Sequence, residues 1–472
     1  MNVKRIIKWG IVLCLLAALP GLTAALAQEQ EPAINQLPVV TEPGESAATI
    51  PWTNTEVEPN NTVAQVPLDD YGNLYDNQVW GGKIGSAGDV DYWRLAWFND
   101  EYPGVYVSND SHLGVLIDIE AQSFGSAVDT VICLYSDDGY EVGCNDNTDT
   151  KDSMLYFVLE GGRNYFLRVQ NATGAGGSNY KYQVLVSSPL LISAAAANLG
   201  TGYVDGIPFQ AGDILAHSDF VVGGTTYQKW VMFLDLSDLN VKGNLTNLSG
   251  GWRNSDNLLV GFAGNVTLPG ITGLVKPWEV VRFDPTQIGP TTAGTFYRWW
   301  NGNNQGLTTT AEKIDAIDWP SWNGNTRLFV STTGTALVYG GPTQVKLRLA
   351  DEDIGLWDTV GAKWARHFDG TNWGIDAKDV IATSFTSGSW YDTDGGTNMK
   401  YYPSVLLGTA VLSFGSNTYT VTQKDIVGFE YYEWWDDYDG DSGDGYKVAN
   451  VWHGPDHGWN YKIDAIDYRW DW

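Results

Sequence analysis

Short apolar runs bounded by turn residues recur along nearly the whole chain. Residues 131–135, 165–169, 257–262 and 326–331 are dense in Val, Ile, Leu, Tyr and Phe and are followed by Gly, Asn or Asp. Segments of that length and composition predict strands rather than helices. Helical periodicity is nearly absent, and 54 glycines suit many tight turns, so the expected class is all-β.

One apolar stretch is different. Residues 11–19 follow Lys4, Arg5 and Lys8 and precede Ala25-Leu26-Ala27, the layout of a secretory signal peptide over residues 1–27. Pro20 and Gly21 break the run well short of the roughly 20 residues a membrane span needs. The mature chain is expected to begin at Gln28 and to be secreted or extracellular, with no transmembrane segment. Residues 28–55, rich in Gln, Glu, Pro and Ala without apolar periodicity, read as a disordered or extended leader.

Further boundaries follow from composition. Residues 56–187 read as a first β-module and 188–202 as a linker, while 203–472 repeats itself imperfectly. Residues 257–262 resemble 326–331 and 404–408, with 212–217 as a candidate first copy. Lys313-Ile314-Asp315-Ala316-Ile317-Asp318 reappears as Lys462-Ile463-Asp464-Ala465-Ile466-Asp467, and residues 296–300 mirror 431–435 through their Trp-Trp pairs. Four copies of about four strands suit a small four-bladed β-propeller, whose circular closure hides strand edges. Uneven spacing keeps packed β-sandwiches as the alternative.

After processing, Cys133 and Cys144 are the remaining thiols. They flank Asp138-Gly139, a dipeptide favoured in two-residue type I′ turns, and counting outward sets the two cysteines opposite each other. A disulfide at a hydrogen-bonded pair, or two buried thiols, are the two readings.

The first module has ordered landmarks: Glu56, Glu58 and Asn60; Gly88-Asp89-Val90-Asp91-Tyr92-Trp93; Asp137-Asp138-Gly139; and Tyr165 to Val169. As a set they resemble the bacterial pre-peptidase C-terminal domain family, over a little more than a quarter of the chain. The resemblance implies a jelly-roll-like β-sandwich, often an accessory module of secreted hydrolases. In related collagenase modules, a Glu-x-Glu-x-Asn segment and aspartates of a later loop hold calcium. Glu56, Glu58 and Asn60 match the first element and Asp89 and Asp91 the second; the alternative for the aspartates is a turn whose carboxylates accept backbone N–H groups.

The net charge of -29 becomes three charges more negative once the leader bearing Lys4, Arg5 and Lys8 is removed. Such a field disfavours nucleic acid and anionic membranes and favours cations. Asp437, Asp439 and Asp441 have the alternating spacing of an EF-hand-type loop, but Ser442 replaces its glycine and Val448 its closing carboxylate. A calcium loop and an unliganded acidic loop both remain open there.

Other chemistry is poorly supported. Gly440-Asp441-Ser442-Gly443 resembles part of a serine nucleophile signature, yet no histidine motif supplies its base. His453 and His457 flank Gly454-Pro455-Asp456, which cannot form the helix of a zinc peptidase. Glu433 is the best wager for a glycosidase acid, but the chain has too many carboxylates for the sequence to choose its partner.

The full sequence also holds 22 tryptophans. Indole faces among acidic and amide groups suit sugar stacking, which singles out Trp299, Trp300, Trp434 and Trp435; core packing is the competing role. The reading is an exported, non-enzymatic binding or adhesion protein for an extracellular glycan or surface protein, with calcium-stabilised loops. The alternatives are a secreted hydrolase with its active site within 203–472, and a structural envelope component.

Overall fold

The computed structural model describes residues 50–51, 54–66, 73–74, 78–95, 112–146, 151–160, 163–195, 201–241, 243–250, 256–319, 327–340, 345–372, 375, 380–391, 397–407, 410–414, 417–435 and 442–467. Within 384–451 it describes side chains only for 412 and 418–428. Residues 1–27, read above as a signal peptide, lie outside the described residues. The protein is all-β, and no described helix is long and apolar enough to cross a membrane.

Ten strands build the first module: β1 (Asn54–Thr55), β2 (Asn73–Leu74), β3 (Gln78–Lys83), β4 (Val90–Leu95), β5 (His112–Glu120), β6 (Thr130–Ser136), β7 (Glu141–Asn145), β8 (Met154–Glu160), β9 (Tyr165–Asn171) and β10 (Lys181–Ser187). They form two five-stranded sheets, ordered β1-β3-β10-β5-β8 and β2-β4-β9-β6-β7. Period-two alternation is clearest in β9, where Tyr165, Leu167 and Val169 are buried and their neighbours half-buried. Between the sheets lie Trp80, Trp93, Ile117, Leu134, Leu167 and Val184, with the two indoles edge to face at 5.9 Å.

The fold reaches further back than the composition suggests. Ile50 is buried, its carbonyl accepts the Gln183 amide at 2.7 Å, and β1 pairs in parallel with β3. The end of the expected leader is therefore part of the sandwich.

The cysteine hairpin also differs in detail. Gly139 N–H donates to Ser136 O at 2.9 Å with Gly139 at φ 81°, which makes a three-residue loop, not the expected two-residue I′ turn. A bulge between Leu134 and Tyr135 pairs then shifts the register back by one. Cys133 consequently still faces Cys144 and the disulfide forms, at a Cα separation of 4.0 Å. That is the short spacing of a non-hydrogen-bonded pair, not the hydrogen-bonded pair the simple count implies.

The second part begins in the expected linker. β11 (Leu190–Ala194) is a fully buried strand, followed by the hairpin β12 (Gly202–Val204) and β13 (Ile207–Phe209), then β14 (Ile214–Val222) and β15 (Thr225–Leu234). Next come β16 (Leu245–Gly250), β17 (Leu258–Phe262), β18 (Glu279–Gln287) and β19 (Ala293–Asn301). The third group is β20 (Ile314–Asp318), β21 (Arg327–Thr332), β22 (Ala336–Gly340), β23 (Val345–Leu349), β24 (Ile354–Asp358) and β25 (Lys363–Phe368). The last is β26 (Val380–Tyr391), β27 (Thr397–Leu407), β28 (Ala410–Phe414), β29 (Asn417–Val421), β30 (Asp425–Trp435), β31 (Ser442–His453) and β32 (Ile463–Asp467).

Six of these strands pair as the hairpins β12-β13, β22-β23 and β28-β29, and the other sixteen make four four-stranded antiparallel sheets: β32-β11-β14-β15, β16-β17-β18-β19, β20-β21-β24-β25 and β26-β27-β30-β31. Their leading strands touch in a cycle, β16 against β20, β20 against β26, β26 against β32 and β32 against β16. The sheets meet by side-chain packing, and no hydrogen-bonded barrel closes among the described strands. The first sheet borrows its leading strand from the far end of the chain, through pairs such as Ile192 with Ile466.

The repeats are real but their register differs from the sequence comparison. Residues 212–217 belong to a third strand, and the second-strand counterpart of β17 and β21 in the first sheet is β11. Trp300 pairs with Val280, as Trp452 pairs with Ile426, so Trp452 is its counterpart; Trp435 lies on a third strand. Composition repeated without register, because Trp-Trp occurs on a fourth strand in one sheet and a third strand in another.

A subtler repeat recurs in all four sheets. Asp213, Glu279, Asp353 and Asp425 are buried at the start of the third strand, and each carboxylate accepts the backbone N–H three residues earlier at 2.7–2.9 Å. A buried carboxylate so bonded nails the turn that feeds each strand.

The two parts pack directly. Leu116, Met154, Tyr156 and Val158 of the sandwich share a core with Leu191, Ala216 and Val231. Lys229 on β15 is buried against Asp118, at 3.2 Å, and Glu120 on β5.

Candidate metal centre

The amino-terminal segment and β4 create the main constellation. Glu56 extends the β1 pairing by donating its N–H to Gly81 O at 2.9 Å, and Tyr92 N–H donates to Asn60 O at 2.9 Å. These bonds tie residues 56–60 to β3 of one sheet and β4 of the other. Asp91 and Trp93, two apart on β4, share the inward face.

One carboxylate oxygen each from Glu56, Glu58 and Asp91 lies within 4.8 Å of the others. Calcium takes oxygens at about 2.4 Å, so ligands on opposite sides of it stand about 4.8 Å apart, and the spacing fits. Asp91 is fully buried and Glu56 Oε2 is a buried oxygen without a hydrogen-bond partner. An orphaned acceptor in an anionic cluster is what a bound cation would satisfy.

Tyr182 on β10, in the other sheet, completes the centre. Its hydroxyl donates to Asp91 Oδ2 at 2.6 Å and accepts the Trp93 indole N–H at 3.1 Å. The ring reaches that position by lying over Gly82, its register partner on β3, where a Cβ would stand 2.2 Å from the ring. Sequence reading misses Tyr182, because 91 residues separate it from Asp91 and no local motif links them.

Electrostatics follow from this crowding. Burial, then repulsion from Asp91, pushes the Glu56 carboxyl up to about 9. Burial also raises Asp91 to about 7, against the opposing hydrogen bonds from Tyr182 and Glu56. Without a cation the pair holds a proton at neutral pH; a divalent ion would displace it.

The remaining expected residues divide. Asp89 is not in the cluster: its Oδ2 accepts Gly85 N–H at 2.6 Å and its Oδ1 accepts Val90 N–H at 3.2 Å, which is the turn role. Asn60 is buried beside the cluster and donates its backbone N–H to Glu58 Oε2 at 3.1 Å. Asp437, Asp439 and Asp441 lie outside the described residues.

The aromatic candidates are corrected in part. Trp300 is buried and packs edge-on against Trp364, so its face is not available for stacking a sugar. Trp299 is half-buried, with its ring edge-on to Trp319 at 4.6 Å. Both indoles serve the core because the fourth strand of this sheet packs against the next sheet. Trp434 and Trp435 lie on β30, where side chains are outside the described residues, as are those of Glu433 and Ser442. His453 and His457 do not act together: His453 Nδ1 meets Asp425 Oδ1 at 2.5 Å, while His457 turns to Gln228.

Comparison of the chain with protein-family models finds no match, and comparison with curated proteins finds none.

Proposed function

We propose that this is an exported protein that works by binding, with a calcium-stabilised sandwich supporting a recognition domain made of four radial sheets. The observation that carries the reading is the convergence of Glu56, Glu58 and Asp91, with a buried, unpaired oxygen, where the amino-terminal segment meets β4. The two five-stranded sheets agree with the sandwich that a pre-peptidase C-terminal-like module would have, and the leading-strand cycle agrees with a four-bladed propeller.

The proposed recognition face moves away from the Trp-Trp pairs. Three of the connections from second to third strand expose apolar side chains: Tyr203 on β12, Leu274 after β17, and Leu337 with Tyr339 on β22. Tyrosine with one apolar face and a polar tip suits an extracellular glycan or a surface protein.

The test uses the full mature chain on a glycan array and on extracellular-matrix proteins, with a parallel screen for hydrolysis of casein and polysaccharides. Retention without turnover is expected, lost when Tyr203, Leu337 and Tyr339 are changed together to Ala. Turnover of any of these substrates, or retention unchanged in the triple variant, overturns the reading.

A further inference from the structure

A second group of metal-ligating side chains lies where β14 meets the turn that precedes β32. His217 and Asp219 are two apart on β14 and therefore share a face, opposite Trp230 and Gln228 of β15. His457 comes from 240 residues away, at the end of the short 3-10 turn Gly454–His457 that leads into the closing strand β32.

Three ligand atoms converge. His217 Nε2 is 3.5 Å from Asp219 Oδ1, His457 Nδ1 is 3.9 Å from the same oxygen, and one ligand atom from each of the three residues lies within 4.8 Å of the others. Tetrahedral zinc with bonds of about 2.0–2.1 Å sets its ligands about 3.3 Å apart, so contractions of about 0.2 and about 0.6 Å close the first two distances. His217 is 4% exposed, its Nε2 has no hydrogen-bond partner, and the Asp219 oxygen it faces is likewise buried without one. A buried imidazole nitrogen and a buried carboxylate oxygen that face each other without bonding are two polar atoms that a shared cation would satisfy.

We infer that His217, Asp219 and His457 form a site for a divalent transition metal of the zinc class. The donor set is two imidazoles and one carboxylate, which is borderline in softness and distinct from the all-oxygen calcium cluster. Asp219 carries side-chain exposure of 41% while its Oδ1 is buried, so the site lies close beneath the surface on that side. Trp230 at 4.5 Å and Trp452 at 5.8 Å from the His217 ring wall the site, and Trp452 also stacks on His457 at 4.9 Å. These indoles limit water access and hold both imidazoles in place.

Both imidazoles stay neutral and ligand-competent near neutral pH. Burial holds His217 down, to about 3, and burial lowers His457 as well, against the nearby Asp219 and Asp456. Gln228 is the competing partner: its Nε2 stands 2.9 Å from His457 Nδ1. This half-buried amide rotates away to free the nitrogen, and its other contact, to Asp456 O at 3.4 Å, is weak.

The consequence is mechanical. The ion would bridge a middle strand of the first sheet to the segment that immediately precedes β32, the strand that completes that sheet from the chain's far end. Trp230 already ties the same turn through its indole N–H to His457 O at 2.9 Å. A metal there clamps the ring at its only junction between sequence-distant strands of one sheet, among the described sheets of this part.

The experiment is equilibrium dialysis of the untagged, EDTA-treated full chain against zinc, with cobalt substitution read by visible absorption. One zinc per chain is expected, with tetrahedral-type cobalt bands and a raised melting temperature. His457→Ala and Asp219→Asn, both at partly exposed side chains, should each weaken binding at least about tenfold. Gln228→Ala should bind as tightly or tighter, and Glu56→Gln should leave zinc binding unchanged. No stoichiometric zinc, or equal affinity in the His457 and Asp219 variants, overturns the site; loss in Glu56→Gln alone would place the ion at the carboxylate cluster and overturn it equally.

Discussion

Replacing Glu56 by Gln should make the metal-free protein more stable at alkaline pH, although it removes a residue of the candidate centre. The Glu56 carboxyl is pushed from 4.5 to about 9 on folding. Between those values the folded chain holds a proton that the unfolded chain has released, so stability falls as pH rises from about 4.5 through about 9. At pH 8 the penalty spans three and a half pH units, or about 5 kcal/mol at roughly 1.4 kcal/mol per unit. Gln has the shape of the protonated acid and no proton to lose. Urea unfolding in EDTA at pH 8 should therefore show Glu56→Gln stabilised by about 2–5 kcal/mol, with a flatter pH dependence. Calcium at a hundredfold excess over its Kd should add about 2.7 kcal/mol to the natural chain and much less to the variant. A variant that is less stable in EDTA at pH 8, or that responds fully to calcium, would refute the assignment of burial and repulsion as the cause.

Two further outcomes test the packing. Lys229→Ala leaves Asp118 and Glu120 buried without their cation between the sandwich and the first sheet, and should cost about 3–5 kcal/mol by urea unfolding; a change below about 1 kcal/mol would show the junction to be solvated. Cys144→Ser opens a link with a sequence separation of 11, which a chain-entropy account values at about 3 kcal/mol; melting of the variant and of the reduced natural chain should fall together.

Part of the candidate centre is legible in the residues themselves. Glu56 and Glu58, two residues apart, are legible as a local pair of oxygen ligands, but Asp91 lies 33 residues further on and is joined to them in the sequence only by the likeness to calcium-holding modules. Asp89 carries the same chemistry and lies two residues from Asp91, yet its carboxylate closes a turn onto Gly85 and Val90. The strand boundary explains the split: Asp91 lies within β4 and is buried, whereas Asp89 precedes the strand, in the turn. The tryptophans mislead for a related reason. An indole that could stack a sugar is also the largest available core filler, and only burial separates the roles, as at Trp300.

By itself the amino-acid sequence determined the class of this protein. Short apolar runs, frequent glycines and the recurring Lys-Ile-Asp-Ala-Ile-Asp segments are local properties, and local properties suffice to specify strands, turns and the existence of repeats. Tertiary structure decided which strands are partners: β32 with β11 across the length of the domain, Tyr182 with Asp91 across the sandwich, His457 with His217 and Asp219 across the ring closure. Those pairings depend on burial and packing between segments far apart in the chain, whose energetics no short window of residues contains.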